Sequence, residues 1–272
     1  MAAAARAQIW RHAPATRRPR HFHAEPEMNL VAAGSAKFGV GEMVLSVVEG
    51  DLLWWPPGQD HELLEASLDF DLFVIGLTPE FSLRVLGSGK EAAHAGPVQF
   101  RLPQAALANF CDICAAPANL LDIPSIERRV GDFWCEAHLM RRASNTMHTL
   151  TRRTLVSLAG QPELARIDVA HLVRAYPTEI SRHFHKDMGL TLTAYRTRLR
   201  LLRFVQAVDH GAENLLAAAL AAGFGSYSQC HRTFQQNFGC TPRAFLGTAL
   251  RTQMQEAFSP WASPKPMSLS TD

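Results

Sequence analysis

An internal repeat in the C-terminal half of the chain constrains the fold more than any other feature. The segment ISRHFHKDMG at residues 180–189 recurs as CHRTFQQNFG at residues 230–239. Each copy follows a short apolar helix and a tight break, and a long basic helix joins the two copies. Two helix-turn-helix units joined in this way can present two recognition helices to one face of a DNA duplex. The repeat therefore predicts an all-α DNA-binding domain.

Residues 147–248 resemble the DNA-binding domain of the AraC family of transcription regulators. In the second unit the resemblance is carried by Ala219, Gly223, Phe224, Ser226, Arg232, Phe234, Phe238, Gly239, Thr241 and Pro242. In the first unit and the linking helix it is carried by Val169, Ala170, Ile180, Arg182, Phe184, Gly189, Tyr195, Arg198 and Leu199. The resemblance implies operator DNA and RNA polymerase as partners.

Two positions of the first unit depart from the family pattern. Arg174 stands where the family usually has Gly, and Tyr176 stands where it has Ser. A serine would cap the free amides of the helix that begins at Pro177, whereas a tyrosine cannot, at a cost of about 1 kcal/mol. We therefore expect the first recognition helix to be less well fixed than the second.

The resemblance also implies which side chains face the DNA. In the first unit they are Thr178, Ser181 and Arg182, and in the second they are Tyr227, Ser228, Gln229, His231 and Arg232. Arginine can pair with guanine and glutamine with adenine, whereas serine and tyrosine more often contact phosphate or sugar. The alternative for the two arginines is an ion pair within the domain. Four more arginines on the linking helix are expected either to touch the DNA backbone or to support packing: Arg196, Arg198, Arg200 and Arg203.

The N-terminal part of the chain has the pattern of an antiparallel β-barrel. Short apolar segments broken by Gly and Pro follow one another between about residues 20 and 86: MNLVAAG, KFGVG, EMVLSVVEG, DLLWWPPG and DFDLFVIGL. Residues 1–146 hold 13 Lys and Arg against 17 Asp and Glu, whereas residues 147–250 hold 12 against 6. A basic surplus confined to the C-terminal part suits a domain that binds phosphate, although a solvated basic helix face gives the same count.

Two motifs in this part resemble those of the cupin superfamily. The first has the spacing HxHxxxE and comprises His21, His23 and Glu27, followed by Gly34. The second comprises Gly50, Pro56, Gly58 and His61. Two family positions differ, since Ala15 replaces the leading Gly of the first motif and Glu65 replaces the final Asn of the second. We interpret Gly50, Pro56 and Gly58 as turn residues.

The chemistry of these motifs suits a metal site. His21, His23 and Glu27 have the same parity on a strand, and the resemblance brings His61 from a neighbouring strand. Three imidazoles and one carboxylate could hold Zn, Mn, Fe or Ni with positions left open for a ligand. The alternative is a purely organic effector, with these side chains as effector contacts or retained barrel residues. Trp54 and Trp55 should face opposite sides of their strand, and core packing is the favoured role for both.

A helical linker follows the barrel. Apolar residues recur at helical spacing at Ile126, Val130, Phe133, Trp134, Ala137 and Met140. This stripe either packs on the barrel or pairs with a second copy of the chain, so a homodimer is one of two interpretations. Cys111 and Cys114 form a CxxC without a second cysteine pair, and we interpret them as two small apolar residues on a helix rather than as a redox or metal site.

The sequence therefore predicts an α+β multidomain chain with a cupin-like antiparallel β-barrel and an all-α domain of two helix-turn-helix units. Its expected parts are an N-terminal extension at 1–19, the sensor barrel at 20–100, a helical linker and candidate dimerisation region at 101–146, the DNA-binding domain at 147–250 and a disordered tail at 251–272.

The expected function is sequence-specific DNA binding controlled by a small molecule or metal in the barrel. The alternative is a metal-dependent cupin enzyme, a dioxygenase or isomerase, with an accessory DNA-binding domain. No general base beyond the metal ligands stands out for such an enzyme, so no catalytic residue is assigned. No apolar run approaches the roughly 18 residues that span a bilayer, and the start of the chain lacks the apolar core of a signal peptide, so a cytoplasmic protein is expected.

Overall fold

The computed structural model describes residues 7–12, 20–78, 81, 98–115, 127–133, 147–161 and 163–247. These residues form an N-terminal antiparallel β domain followed by a helical domain, which confirms the predicted fold class. The expected tail at 251–272 lies outside the described residues. No helix within the described ranges is both long and apolar enough to cross a membrane.

Within the described residues, eight antiparallel strands form two sheets. The strands are β1 Ala7–His12, β2 Glu27–Ala33, β3 Ser35–Val40, β4 Met43–Val48, β5 Asp51–Trp55, β6 Glu62–Ala66, β7 Asp71–Leu77 and β8 Val98–Arg101. One sheet has the order β1-β7-β2-β5-β8 and the other has the order β4-β3-β6. The five apolar segments of the sequence correspond to β2, β3, β4, β5 and β7, whereas the sequence pattern gave no indication of β1, β6 and β8.

The three central strands of the larger sheet are buried on both faces. Because side chains alternate along a strand, Leu30, Trp54 and Ile75 lie on the outer face while Val31, Trp55 and Val74 lie between the two sheets. The outer face packs against helix α1, Gln104–Ala115, and the inner face packs against β3. Burial on both faces explains why these strands are continuous apolar runs rather than alternating ones.

Strand β1 corrects the predicted start of the barrel. The sequence analysis assigned residues 1–19 to an extension, but Ala7–His12 pairs with β7 over six residue pairs, from Ala7 opposite Leu77 to His12 opposite Leu72. The physical reason is that the main-chain hydrogen bonds of a sheet edge accept almost any side chain, so a strand such as AQIWRH has a weak sequence signal. The barrel therefore begins before residue 20.

The linker residues that the structure describes pack on the barrel. Residues 127–133 are helical, and Val130 and Phe133 are buried in the same core as Phe110 of α1. Cys114 is buried in this core and Cys111 packs against it, which confirms their role as apolar helix residues. The other members of the apolar stripe, Ile126, Trp134, Ala137 and Met140, lie outside the described residues.

The helical domain repeats the same supersecondary unit twice. Its helices are α2 Thr149–Gly160, α3 Arg166–Val173, α4 Pro177–Met188, α5 Leu192–Asp209, α6 Leu215–Ala221, α7 Tyr227–Phe238 and α8 Pro242–Gly247. The recognition helices α4 and α7 both end at a glycine in the left-handed conformation, Gly189 with φ 66° and Gly239 with φ 69°. Helix α5 links the two units, and each unit has its own apolar core.

The two units differ at the turn between their helices. Arg174 follows α3 with φ 53°, and Gly223 lies at the corresponding position after α6 with φ 85°. Left-handed backbone suits glycine but costs a residue with a Cβ about 1–2 kcal/mol. The next helix, α4, begins with Tyr176 as an N-cap whose side chain makes no capping hydrogen bond, whereas Ser226 caps α7 by accepting from the backbone N–H of Gln229 at 3.2 Å. The first unit is thus locally less favourable than the second, as the sequence predicts.

We predict that Arg174→Gly stabilises the protein. Removal of the Cβ relieves the left-handed strain, and the greater freedom of glycine in the unfolded chain offsets part of the gain, so the free energy of unfolding should rise by up to about 1 kcal/mol. Urea unfolding followed by circular dichroism measures the change. Gly223→Ala at the equivalent turn is the matched control and should destabilise; a loss of stability in Arg174→Gly would contradict the interpretation.

Candidate functional site

Three histidines lie together inside the barrel. His21, His23 and His61 each offer a ring nitrogen, and these nitrogens lie within 4.8 Å of one another. The backbones of His21 and His61 pair as an antiparallel bridge, with N–H donors to carbonyl oxygens at 3.2 and 3.0 Å. This bridge brings the HxH segment against the start of β6. The structure therefore places together the three histidines that the two motifs predict.

Glu27 completes the cluster from the first position of β2. Its Oε2 lies 3.3 Å from Nε2 of His23 and its Oε1 lies 3.6 Å from Nε2 of His61. A buried chain of polar groups fixes the carboxylate: Asn29 Nδ2 donates to Glu27 Oε1 at 2.7 Å, and Trp55 Nε1 donates to Asn29 Oδ1 at 2.6 Å. The Trp55 ring also stacks on His61 with centroids 5.0 Å apart. The cluster is thus held by rigid, buried neighbours.

The electrostatics of the cluster favour a cation. Burial opposes the charged forms of both His23 and Glu27, but their mutual hydrogen bond and attraction outweigh it. The pKa of His23 is raised and the pKa of Glu27 is lowered to about 2. Burial and repulsion from His21 hold the pKa of His61 well below its usual value, so this ring is neutral and keeps a lone pair. The site combines a buried anion at Glu27, an imidazole at His23 whose charged form this anion favours, and a neutral nitrogen donor at His61.

The cluster fits the donor set of a transition metal. His23 Nδ1 donates to the backbone oxygen of Glu25 at 2.7 Å, which leaves Nε2 as the atom that faces Glu27. Metal-binding histidines characteristically use their second nitrogen in this way, and the hydrogen bond fixes both tautomer and ring orientation. Two nitrogens bound to one metal at about 2.0–2.1 Å lie at most roughly 4 Å apart. The three ring nitrogens lie within 4.8 Å of one another, so metal binding would require the rings to move slightly closer together.

A small cavity lies beside the cluster and contains a residue that the sequence analysis did not assign. The cavity has a volume of about 40 Å³, and its polar lining includes His12, His21, Glu27, Asn29 and His61. The remaining lining is apolar: Phe38, Leu63, Leu72 and Val74. His12 arrives on β1, the strand that the sequence pattern did not reveal, so no signal in a single sequence linked it to the HxH motif.

Of the two departures from the cupin motifs, the structure describes only Glu65, which does not line this cavity. Glu65 is exposed on β6 and pairs with Lys37 at 2.8 Å, whereas Ala15 lies outside the described residues. Gly50 and Gly58 have positive φ values, which confirms them as turn residues, and Gly34 also has a positive φ. Both tryptophans of β5 are buried, Trp54 in the outer core and Trp55 in the inner core, as their alternation predicts.

On the recognition helices, the residues expected to face DNA are only partly exposed. Thr178, Arg182, Ser228, Gln229 and Arg232 are exposed, whereas Ser181, Tyr227 and His231 are half-buried. Three of the eight make hydrogen bonds within their own unit: the Ser181 hydroxyl donates to the carbonyl of Pro177 at 2.8 Å, Gln229 Oε1 accepts from Gly225 N at 2.9 Å, and Arg182 Nη2 lies 3.3 Å from Nε2 of His183. The ion pairs between described residues include neither Arg182 nor Arg232.

Three of the four arginines on the linking helix α5 make polar contacts within the protein. Arg203 Nη1 lies 2.7 Å from Glu163 Oε2, and Arg196 Nη2 donates to the Glu163 carbonyl at 3.3 Å. Arg198 points the other way, into the barrel, where its Nη1 lies 2.6 Å from Asp60 Oδ1. The sequence alone does not predict which of these arginines contact the protein and which are left to contact DNA, because their partners in the protein are distant along the chain.

Family models match both parts of the chain. A model described as an AraC-like ligand binding domain matches residues 7–141, and a model described as a helix-turn-helix domain matches residues 169–248. The first match starts at the first residue of β1, in agreement with the corrected start of the barrel.

One relative and several solved structures are similar to the chain over most of its length. The chain is 24% identical over 264 residues to YdeC of Bacillus subtilis (strain 168), an uncharacterized HTH-type transcriptional regulator, and the match covers 84% of this chain and 85% of YdeC. Its fold is similar to that of ToxT from Vibrio cholerae O395, with 11% identity, a TM-score of 0.47 and coverage of 88% of this chain and 96% of ToxT. The AraC-like transcriptional activator CuxR is similar with 12% identity, a TM-score of 0.35 and coverage of 74% and 72%.

Proposed function

Because the chain belongs to the AraC family of transcription regulators, we propose that this regulator senses a divalent transition metal held in its barrel by His21, His23, His61 and Glu27. Its family makes it a DNA-binding regulator with a ligand-binding N-terminal domain. The observation that carries the metal proposal is the buried cluster of three imidazoles around a carboxylate that its neighbours keep ionised. Such a donor set suits Zn, Mn, Fe or Ni.

The size of the cavity favours a metal over a large organic effector. Its volume is about 40 Å³, and one water molecule needs roughly 10–15 Å³. A metal with one or two waters or a small anion fits this space, whereas a sugar or a long-chain acid does not. A small molecule that acts here would therefore bind to the open positions of the metal.

The proposed DNA contacts are the eight residues on α4 and α7. We assign base contacts to Arg182, Gln229 and Arg232, because arginine and glutamine match the acceptor and donor patterns of guanine and adenine in the major groove. The remaining members contact phosphate and sugar or support the helix: Thr178, Ser181, Tyr227, Ser228 and His231.

The family also supplies the expected partners and setting. We propose that the protein acts as a homodimer at promoters, contacts RNA polymerase there and works in the cytoplasm, where bacterial promoters lie. Val130 and Phe133 are buried against the barrel of their own chain, so a dimer would use other surfaces. A regulator needs no catalytic residue, and the family assignment favours this function over the metal-dependent enzyme that was the alternative.

We predict near-stoichiometric metal in untagged wild-type protein and its loss in the double variant His21→Ala, His23→Ala. Removal of two of three nitrogen ligands should lower metal affinity at least a hundredfold, since loss of even an outer partner of a ligand costs 10–100-fold. Elemental mass spectrometry of protein dialysed against Zn²⁺ or Ni²⁺ measures the content.

The matched control for this experiment is His171→Ala, His210→Ala, which removes two exposed histidines of the helical domain. The control should retain the wild-type metal content. Wild-type protein that takes up neither ion would refute the metal proposal and leave the pocket to an organic ligand.

We also predict that Arg232→Ala lowers operator affinity and weakens the discrimination between operator and non-specific DNA. A bidentate arginine contact with guanine contributes about 1–3 kcal/mol to discrimination, or roughly 5–150-fold in affinity. Fluorescence anisotropy with an operator selected from random-sequence DNA measures this loss, and the helical circular dichroism should not change because Arg232 is exposed.

Arg129→Ala is the charge-matched control, because Arg129 is exposed on the barrel side of the molecule. It should bind the operator like the wild type. Undiminished affinity in Arg232→Ala would remove the assignment of this residue to the DNA interface.

A further inference from the structure

The barrel contacts the DNA-binding domain through residues that neighbour the metal ligands. We define the docking interface as three contacts: Phe22 with the second unit, Asp60 with Arg198 of α5, and the β3–β4 turn at Gly41 and Glu42 with Gly189 of the first unit. Phe22 lies between the ligands His21 and His23, and Asp60 precedes the ligand His61. Two of the three contacts thus belong to the same short segments as the site.

The Phe22 side chain is part of the core of the second unit. It is buried in a cluster with Leu201 and Phe204 of α5, and its ring centroid lies 5.4 Å from that of Phe238 near the end of recognition helix α7. The Arg198 guanidinium lies over the same ring, 5.2 Å from its centroid. Because successive side chains of an extended segment point in opposite directions, His21 and His23 face the barrel while Phe22 faces the other domain.

Asp60 is a buried carboxylate shared by two arginines. Its Oδ1 lies 2.6 Å from Arg198 Nη1 and its Oδ2 lies 2.9 Å from Arg20 Nη1. Its side chain is only 3% exposed, so it has little water to replace a lost partner. Next to it, the hydroxyl of Tyr195, also on α5, donates to the Pro57 carbonyl at 2.8 Å. The segment that carries His61 is thus tied to α5 by charge and by a neutral hydrogen bond.

The third contact joins the barrel to the first unit. The Glu42 N–H donates to the carbonyl of Gly189, the residue that ends recognition helix α4, at 2.7 Å. Arg20 connects this contact to the second one, since its Nη1 also donates to the Gly41 carbonyl at 2.6 Å. A continuous network therefore runs from α4 through Arg20 and Asp60 to α5.

We infer that metal binding in the barrel and the placement of the two helix-turn-helix units are coupled through this interface. The inference rests on the metal site proposed above and adds how that site acts. A metal would fix the His21–His61 bridge, and the bridge holds Phe22 and Asp60 in the positions that dock α5. By thermodynamic reciprocity, loosening of the interface from the DNA-binding side must weaken metal binding by the same factor.

The test uses substitutions in the docking interface and reads metal affinity in the barrel. Arg198→Met keeps the aliphatic part of the side chain, removes the charge next to Asp60 and lies outside the metal site. Gly41→Asn is an independent disruption, because asparagine tolerates the left-handed φ of 57° but its Cβ would collide with the Gly189 carbonyl. Arg203→Met is the matched control, since it removes the same charge from the same helix but breaks an ion pair with Glu163 instead.

Calorimetric titration of the full chain with Ni²⁺, without DNA, should show affinities lower by about fivefold or more in Arg198→Met and Gly41→Asn. Arg203→Met should stay within twofold of the wild type. Thermal unfolding confirms that each variant is folded. Titration without DNA matters because Arg198 could also contact phosphate, and such a contact would not change the metal affinity of the free protein.

The outcomes separate the two proposals. If the wild type binds one Ni²⁺ and all variants bind equally well, the coupling is refuted while the metal site stands. If Arg203→Met weakens binding as much as Arg198→Met, the effect is general destabilisation and the coupling is also refuted. If the wild type binds no metal and the double histidine variant is indistinguishable from it, the metal site fails and the coupling fails with it.

Discussion

The backbone bridge between His21 and His61 is the contact on which both the site and the interface depend. These two residues are 40 positions apart, and their paired N–H and carbonyl groups hold the HxH segment against the start of β6. On the barrel side the bridge brings three imidazoles to Glu27. On the opposite side it presents Phe22 and Asp60 to α5. One local backbone pairing therefore positions both a ligand site and a contact between the two domains.

The two buried carboxylates, Glu27 in the histidine cluster and Asp60 in the docking interface, have different roles. Glu27 lies among nitrogen donors and is oriented by Asn29, which suits a group that meets a cation. Asp60 already has two cationic partners, Arg20 and Arg198. Buried ion pairs contribute little net stability, because the cost of desolvation offsets much of the attraction, but loss of one partner is costly. The Asp60 pairs therefore act chiefly by fixing how the barrel sits on α5.

The sequence was informative where a motif has fixed spacing and uninformative where a contact is long-range. HxHxxxE and the Gly-Pro-Gly-His segment predicted the four-residue cluster, and the repeat predicted both helix-turn-helix units. His12 was missed because β1 pairs at a sheet edge, where side chains have little constraint. The Asp60–Arg198 pair spans 138 positions, and both residues have the composition of an ordinary surface. Arg174 was recognised as unusual, and its φ of 53° supplies the physical reason.

A regulator that responds to metal must bind DNA differently when its barrel site is occupied. Operator affinity measured with and without metal shows whether it does. Wild-type protein, either loaded with Ni²⁺ or stripped with a chelator and dialysed, would be titrated against one selected operator at one salt concentration. We expect operator affinities that differ by about 5–150-fold between the two states, in either direction. Equal affinities, with metal bound stoichiometrically in one state and absent in the other, would contradict this expectation.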